Sequence, residues 1–246
     1  MIIKSIVFAI LLNFYVFADV NDALNEILHL HVDKSSVDYK GLKLIEPKIE
    51  VFIENLKKEN IHKLTRNEKL AFYINAYNLC TLKLILDYYP VKSIKDIPVS
   101  KRWKHKRWNI GGTLFSLDGI EHEVLRKMNE PRIHFAINCA SFSCPDLKNV
   151  AFDAKKLGGQ LEQVTNQFLL NKEKGLRIEK TSSFFFGDKT IVYLSSIFSW
   201  FKEDFVKSHG SLRKWILANA PDSIKRELKK GDFSVKFMRY DWSLND

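Results

Sequence analysis

The sequence predicts an α+β fold in a single domain, with a central buried helix and several surrounding helices packed on a small, largely antiparallel sheet. Three observations carry this. Residues 71–86, AFYINAYNLCTLKLIL, are apolar nearly all round, as in a helix with no solvent-facing side. Strand-like stretches are short and interleave with helical ones without regular βαβ units. Residues 19–246 contain no internal repeat, low-complexity segment or Pro/Gly/Ser-rich linker. The 246 residues are 46% hydrophobic and 13% aromatic, which supplies a real core and excludes disordered, collagen-like and disulfide-scaffold chains.

Residues 1–18, MIIKSIVFAILLNFYVFA, combine Lys4 with an apolar run and small residues before Asp19. They read as a cleaved signal peptide in preference to a retained anchor, since Asn13 interrupts the run, so the mature domain, residues 19–246, is expected to be exported to a periplasm. Residues 22–30 form an amphipathic helix, followed by a turn at 33–36 and a helical pattern over 42–56. Thr65 and Glu68 have capping-box spacing, and the helix they start runs to the residue before Pro90. Residues 107–115 read as a hairpin turning on Gly111-Gly112. Ser116 caps the helix SLDGIEHEVLRKM. Residues 132–138, RIHFAIN, alternate as a strand with Ile133, Phe135 and Ile137 on one face. A helix over 153–170 follows, then strands at 176–178, 184–186 and 191–194 with a turn at Gly187-Asp188. Ser195 or Ser196 caps IFSWFKEDF. Two further helices cover 211–220 and 221–229, and FSVKFMRYDW closes the chain as a strand.

The densest chemistry lies between Glu121 and Cys144. Four readings of it compete. In a thiol enzyme, Cys144 or Cys139 is the nucleophile, His122 or His134 the base, and Glu121, Asn138 or Asp241 orients the imidazole. In a binding module, Cys139 and Cys144 form a disulfide across a short loop. His122, His134, Cys139 and Cys144 are zinc-ligand types, but neither C-x-x-C nor H-E-x-x-H is present, because Arg126 occupies the second His position. The fourth reading is structural: His134 is a satisfied core histidine, and His122 and Arg126 share a wet helix face. Cys80, inside the apolar helix, reads as a small buried hydrophobe. Asn75 and Asn78 bind either neighbouring backbone or a ligand.

VDYKGL (37–42), AFYINAYNLCTLKLIL (71–86), SLDGIEHEVLR (116–126), RIHFAINCASFSCP (132–145), FSWFKEDF (198–205) and YDWSLN (240–245) together resemble the domain of unknown function numbered 547. The resemblance implies a domain common in bacteria and often exported. It brings no stated reaction. Its signature residues fall on Asn75, Asn78, Glu121, His122, His134, Asn138, Cys139, Cys144 and Asp241, and Tyr73 stands where the family usually has Trp.

The leading expectation is an exported thiol hydrolase or acyl-transfer enzyme acting on a peptide-like substrate. Cys144 is its nucleophile, His122 the preferred base, and Glu121 or Asp241 the orienting carboxylate, with Cys139 and His134 as alternates. Asn75, Asn78, Asn138, Ser143 and Trp242 are the expected substrate contacts, and no metal or cofactor is expected. The rival is a non-catalytic, envelope-associated module with a Cys139–Cys144 disulfide. The net charge of +10 and the cluster KRWKHKRW (101–108) suit an anionic envelope surface, and export makes nucleic acid an unlikely partner.

Overall fold

The computed structural model describes residues 20–181 and 189–246. The expected signal peptide, the strand at 184–186 and the Gly187-Asp188 turn lie outside the described residues. The Thr65 amide donates to Glu68 Oε2 at 2.8 Å, and the Glu68 amide returns to Thr65 Oγ1 at 3.4 Å. This capping box starts a 23-residue helix, Arg66–Tyr88, that is buried along most of its length. Among the described residues, no helix is long and apolar enough to cross a membrane.

In chain order, α1 (Val20–His31) leads through a tight hairpin of β1 (Val32–Asp33) and β2 (Ser36–Val37) into α2 (Tyr39–Leu44) and α3 (Glu46–Leu56). The helical pattern over 42–56 is thus broken at Ile45, because Pro47 opens α3 and has no amide to continue α2. The central helix is α4. The Gly111-Gly112 hairpin pairs β3 (Trp108–Ile110) with β4 (Thr113–Phe115), both glycines having positive φ. Ser116 caps α5 (Leu117–Gly119), which widens into a π-helical turn, Ile120–Leu125, and tightens to a 3₁₀ turn, Arg126–Met128.

The expected strand at 132–138 is instead a 3₁₀ turn, Pro131–Phe135, followed by irregular chain. Pro131 supplies the helical φ, and the Glu130 carboxylate caps the Arg132 amide and pairs with its guanidinium. The alternation misled because both sets of side chains are buried, His134 and Ala136 as deeply as Ile133 and Phe135.

Beyond it come α6 (Leu157–Leu170), β5 (Leu176–Thr181), β6 (Lys189–Leu194), α7 (Ile197–Trp200), α8 (Lys202–His209), α9 (Leu212–Asn219), α10 (Asp222–Leu228) and β7 (Phe233–Phe237). The expected cap before IFSW is Ser196 by position, but its hydroxyl donates to the Met238 carbonyl instead. β5 and β6 are antiparallel, whereas β7 joins β6 in parallel and leaves Val235 and Phe237 exposed. α+β architecture with small sheets therefore holds, with one parallel pairing. Phe135, Phe198, Phe205 and Trp215 form an aromatic knot, with Phe205 and Trp215 centroids 4.8 Å apart.

Residues 136–152 have almost no regular structure, yet most of them are buried. α4 solves this with side-chain amides. Asn78 donates to the Ala136 carbonyl at 2.9 Å and accepts from the Asn138 amide at 2.8 Å. Asn75 brackets Phe152 in the same way, at 2.9 and 2.8 Å. Asn78→Ala leaves a buried carbonyl and a buried amide without partners. It is expected to lower unfolding stability by about 3 kcal/mol, read from urea denaturation, with an unchanged midpoint counting against this role.

Candidate functional site: an aromatic cavity with a buried acid–base line

A cavity of about 310 Å³ opens between the π-helical turn, the 136–145 segment, α7 and residues 240–242. Its walls are aromatic: Trp103, Trp200, Phe201, Tyr240 and Trp242, with Tyr77 behind. Trp200 stacks on Trp242 at 5.7 Å between ring centroids, and Trp103 meets Trp242 edge-on at 5.8 Å. Glu121, His122, His134, Cys139 and Cys144 all line this space.

The sulfurs of Cys139 and Cys144 are at disulfide distance, with Cα atoms 6.2 Å apart. Between them Ala140 adopts φ 61°, held by an Asn138 side chain that accepts from the Ala140 amide at 2.7 Å. The loop is sewn to the end of the chain. The Phe142 amide donates to the Ser243 carbonyl at 2.7 Å, and the Ser143 amide to the Asp241 carbonyl at 3.2 Å. The Tyr240 hydroxyl lies 3.1 Å from Cys144 Sγ and 3.2 Å from Cys139 Sγ.

His134 is the better-built imidazole. Its side chain is 1% exposed and stacks on Phe201, with centroids 4.0 Å apart. Nε2 lies 2.8 Å from Asp204 Oδ2, and Arg126 clamps the same carboxylate at 2.6 and 2.9 Å. Burial alone would raise Asp204, but hydrogen bonds from His134 and Arg126 hold it well below the usual carboxylate range. An ionised Asp204 requires the proton on Nε2, which leaves Nδ1 as the acceptor. Burial lowers His134, outweighing the pull of Asp204, so this neutral tautomer is favoured. Nδ1 is buried without a hydrogen-bond partner and faces Glu121 Oε1 at 3.9 Å.

Glu121 comes from the π-helical turn, a geometry that often re-aims a side chain at a functional site. Burial pushes its carboxyl up to about 7, against the Arg126 cation and with the help of Asp118. His122, the preferred base from sequence, has its Nδ1 2.9 Å from the Arg126 guanidinium and its Nε2 3.5 Å from Asp118. A line of groups thus runs from Asp118 through His122, Arg126 and Asp204 to His134 and Glu121; Asp118, Glu121, His122 and His134 line the cavity, and Arg126 and Asp204 connect them from outside it.

The other expected residues fall elsewhere. Asp241 is exposed and its carboxylate accepts from the Ser243 amide, a local cap rather than an imidazole partner. Asn75 and Asn78 are engaged as described, and Asn138 holds the Pro145 carbonyl and the Ala140 amide, so these amides brace the wall instead of facing the cavity. Ser143 Oγ accepts from the Asp241 amide at 2.9 Å. Trp242 does line the cavity, under a Lys95 ammonium 4.0 Å from its ring centroid. Among the described residues, no group of three or more His, Cys, Asp or Glu is placed to hold a metal ion. Asp204 escaped the sequence reading as a site residue, although it lies inside the FSWFKEDF segment quoted for the resemblance.

These features define an α+β domain whose aromatic cavity carries a buried acid–base line beside a cysteine pair. Residues 61–169 match the family model described as Protein of unknown function, DUF547, which supports the resemblance carried by the sequence motifs. The match runs from just before α4 to the end of α6, so it includes Glu121, His134 and both cavity cysteines while Asp204 and Tyr240 lie beyond it. No curated protein matches, and no solved structure matches.

Because the folded Glu121 keeps a proton that the unfolded chain releases near 4.5, it stabilises the fold at low pH, and this contribution is lost as pH rises through about 7. Relative to Glu121→Gln, the wild-type protein is expected to lose about 3 kcal/mol between pH 4.5 and 7.5. Parallel pH–stability curves for the two proteins would contradict this.

Proposed function

We propose that the cavity is a hydrolytic or acyl-transfer centre acting on a peptide-like substrate, with His134 as general base, Asp204 as the residue that holds its tautomer, and Glu121 as proton donor. The observation that carries this reading is the buried, partnerless Nδ1 of His134, aimed toward Glu121 with Nε2 already fixed by Asp204. A neutral imidazole held from behind by a carboxylate is the working form of a general base. A carboxyl near 7 is the working form of an acid at neutral pH. The aromatic walls suit an apolar side chain beside the reacting bond. A cysteine nucleophile needs an open pair; with the sulfurs at disulfide distance, an activated water takes that role.

Export follows from the reading of residues 1–18 and suits a cavity-lining cysteine pair. Contact with an anionic envelope surface falls to Lys101, Lys104 and Lys106, which are exposed. Arg102 donates to the Ile97 and Lys95 carbonyls, and Arg107 pairs with Asp87, so these two are engaged within the fold.

Fluorogenic peptide amides and esters with aromatic or aliphatic side chains test the proposal. Turnover is expected to fall as pH rises through about 7, where Glu121 loses its proton, and to drop at least about 100-fold in His134→Gln. Asp204→Asn is expected to follow His134→Gln, and the Cys139→Ser/Cys144→Ser double variant to retain activity. Equal turnover by wild type and His134→Gln would sink the assignment.

A further inference from the structure

The acid–base reading leaves idle one reactive group in the cavity wall, the Cys139–Cys144 bond. Its two sulfurs are not equivalent. Cys144 is 3% exposed, and its sulfur accepts from the Cys139 amide at 3.0 Å and from the Tyr240 hydroxyl at 3.1 Å. Cys139 is only partly buried and faces the same cavity; the Tyr240 hydroxyl is also 3.2 Å from its sulfur and Ser141 Oγ 3.6 Å, but only Cys144 has a backbone amide donor as well. A disulfide that only braces a loop needs neither access from a cavity nor donors on one sulfur. Thiol–disulfide exchange needs both, a reachable sulfur to be attacked and a leaving sulfur whose thiolate is stabilised. Burial keeps the Tyr240 phenol protonated, so it remains a donor as charge builds on Cys144.

We propose that Cys139–Cys144 is an exchangeable disulfide that oxidises thiol-bearing ligands entering the aromatic cavity. Cys139 is the attacked sulfur and Cys144 the leaving one. The ligand thiolate attacks Cys139 Sγ, forming a ligand–Cys139 disulfide. The Cys139–Cys144 bond breaks, and its electron pair leaves on Cys144 as a thiolate held by the Cys139 N–H and the Tyr240 O–H. A second thiolate, from the same ligand or another molecule, attacks the ligand sulfur and releases Cys139 as a thiolate. The two protons lost by the ligand thiols end on Cys139 and Cys144. Two thiols are thereby oxidised to one disulfide, and the protein pair takes up the two electrons. The class of substrate is a small thiol or cysteinyl peptide. The inference does not depend on the role of His134, and its failure would leave the hydrolytic reading standing.

The test uses the oxidised full chain and reduced glutathione in native buffer, with acid quenching and intact-mass analysis. The disulfide is expected to open while the far-ultraviolet circular dichroism is unchanged. Tyr240→Phe, which keeps the ring and removes the donor, is expected to slow opening about tenfold. Cys144→Ser, given oxidised instead of reduced glutathione, is expected to accumulate a glutathione adduct that peptide mapping places on Cys139, the second glutathione leaving as the thiolate. A disulfide that opens only in denaturant, or one that opens in Tyr240→Phe at the wild-type rate, overturns the proposal without reliance on the cysteine variant folding.

Discussion

The bracketing of backbone by the α4 asparagines is the constraint on which the rest of the structure depends. A long irregular segment can be buried only if each of its amides and carbonyls finds a partner. Asn78 and Asn75 meet that condition at the two ends of residues 136–152, and Asn138 repeats it inside, between Ala140 and Pro145. The result is a loop held as firmly as a strand but free of strand geometry. Its cysteines can therefore be presented sideways to a cavity instead of lying in a pleat.

Within that frame, burial sorts the charges. Asp204 and Glu121 are both carboxyls close to His134, yet they stand in opposite protonation states. Asp204 is clamped by the Arg126 guanidinium and the imidazole, and stays an anion. Glu121 has no such clamp and is pushed toward neutrality by the loss of water around it. At the buried end of the line one cation neutralises one carboxylate and the other carboxyl keeps its proton, while Asp118 sits at the more exposed end.

Where local rules govern, the sequence was legible. The Thr65 capping box, the Gly111-Gly112 hairpin and the all-apolar α4 follow from short-range chemistry, and each stands as expected. The residue types of the site were also visible, since Glu121, His122, His134, Cys139, Cys144 and Trp242 share one cavity. Which of them touch was not. The partner of His134 lies 70 residues away, and nothing in the spacing singles out Asp204 over its neighbours. The false strand at 132–138 has the same origin, because alternation marks a strand only when one face meets water. Here both faces are buried, and the Glu130–Arg132 pair and Pro131 decide the geometry.

The contact between Tyr240 and the cysteine loop closes a span of 101 residues from Cys139. The sulfur pair and the rings that screen it therefore come from segments far apart in the chain, and neither segment alone makes the site. Selectivity here is a property of their union: the cysteine loop without Tyr240 and Trp242 has the reactive pair but not the wall that chooses what reaches it.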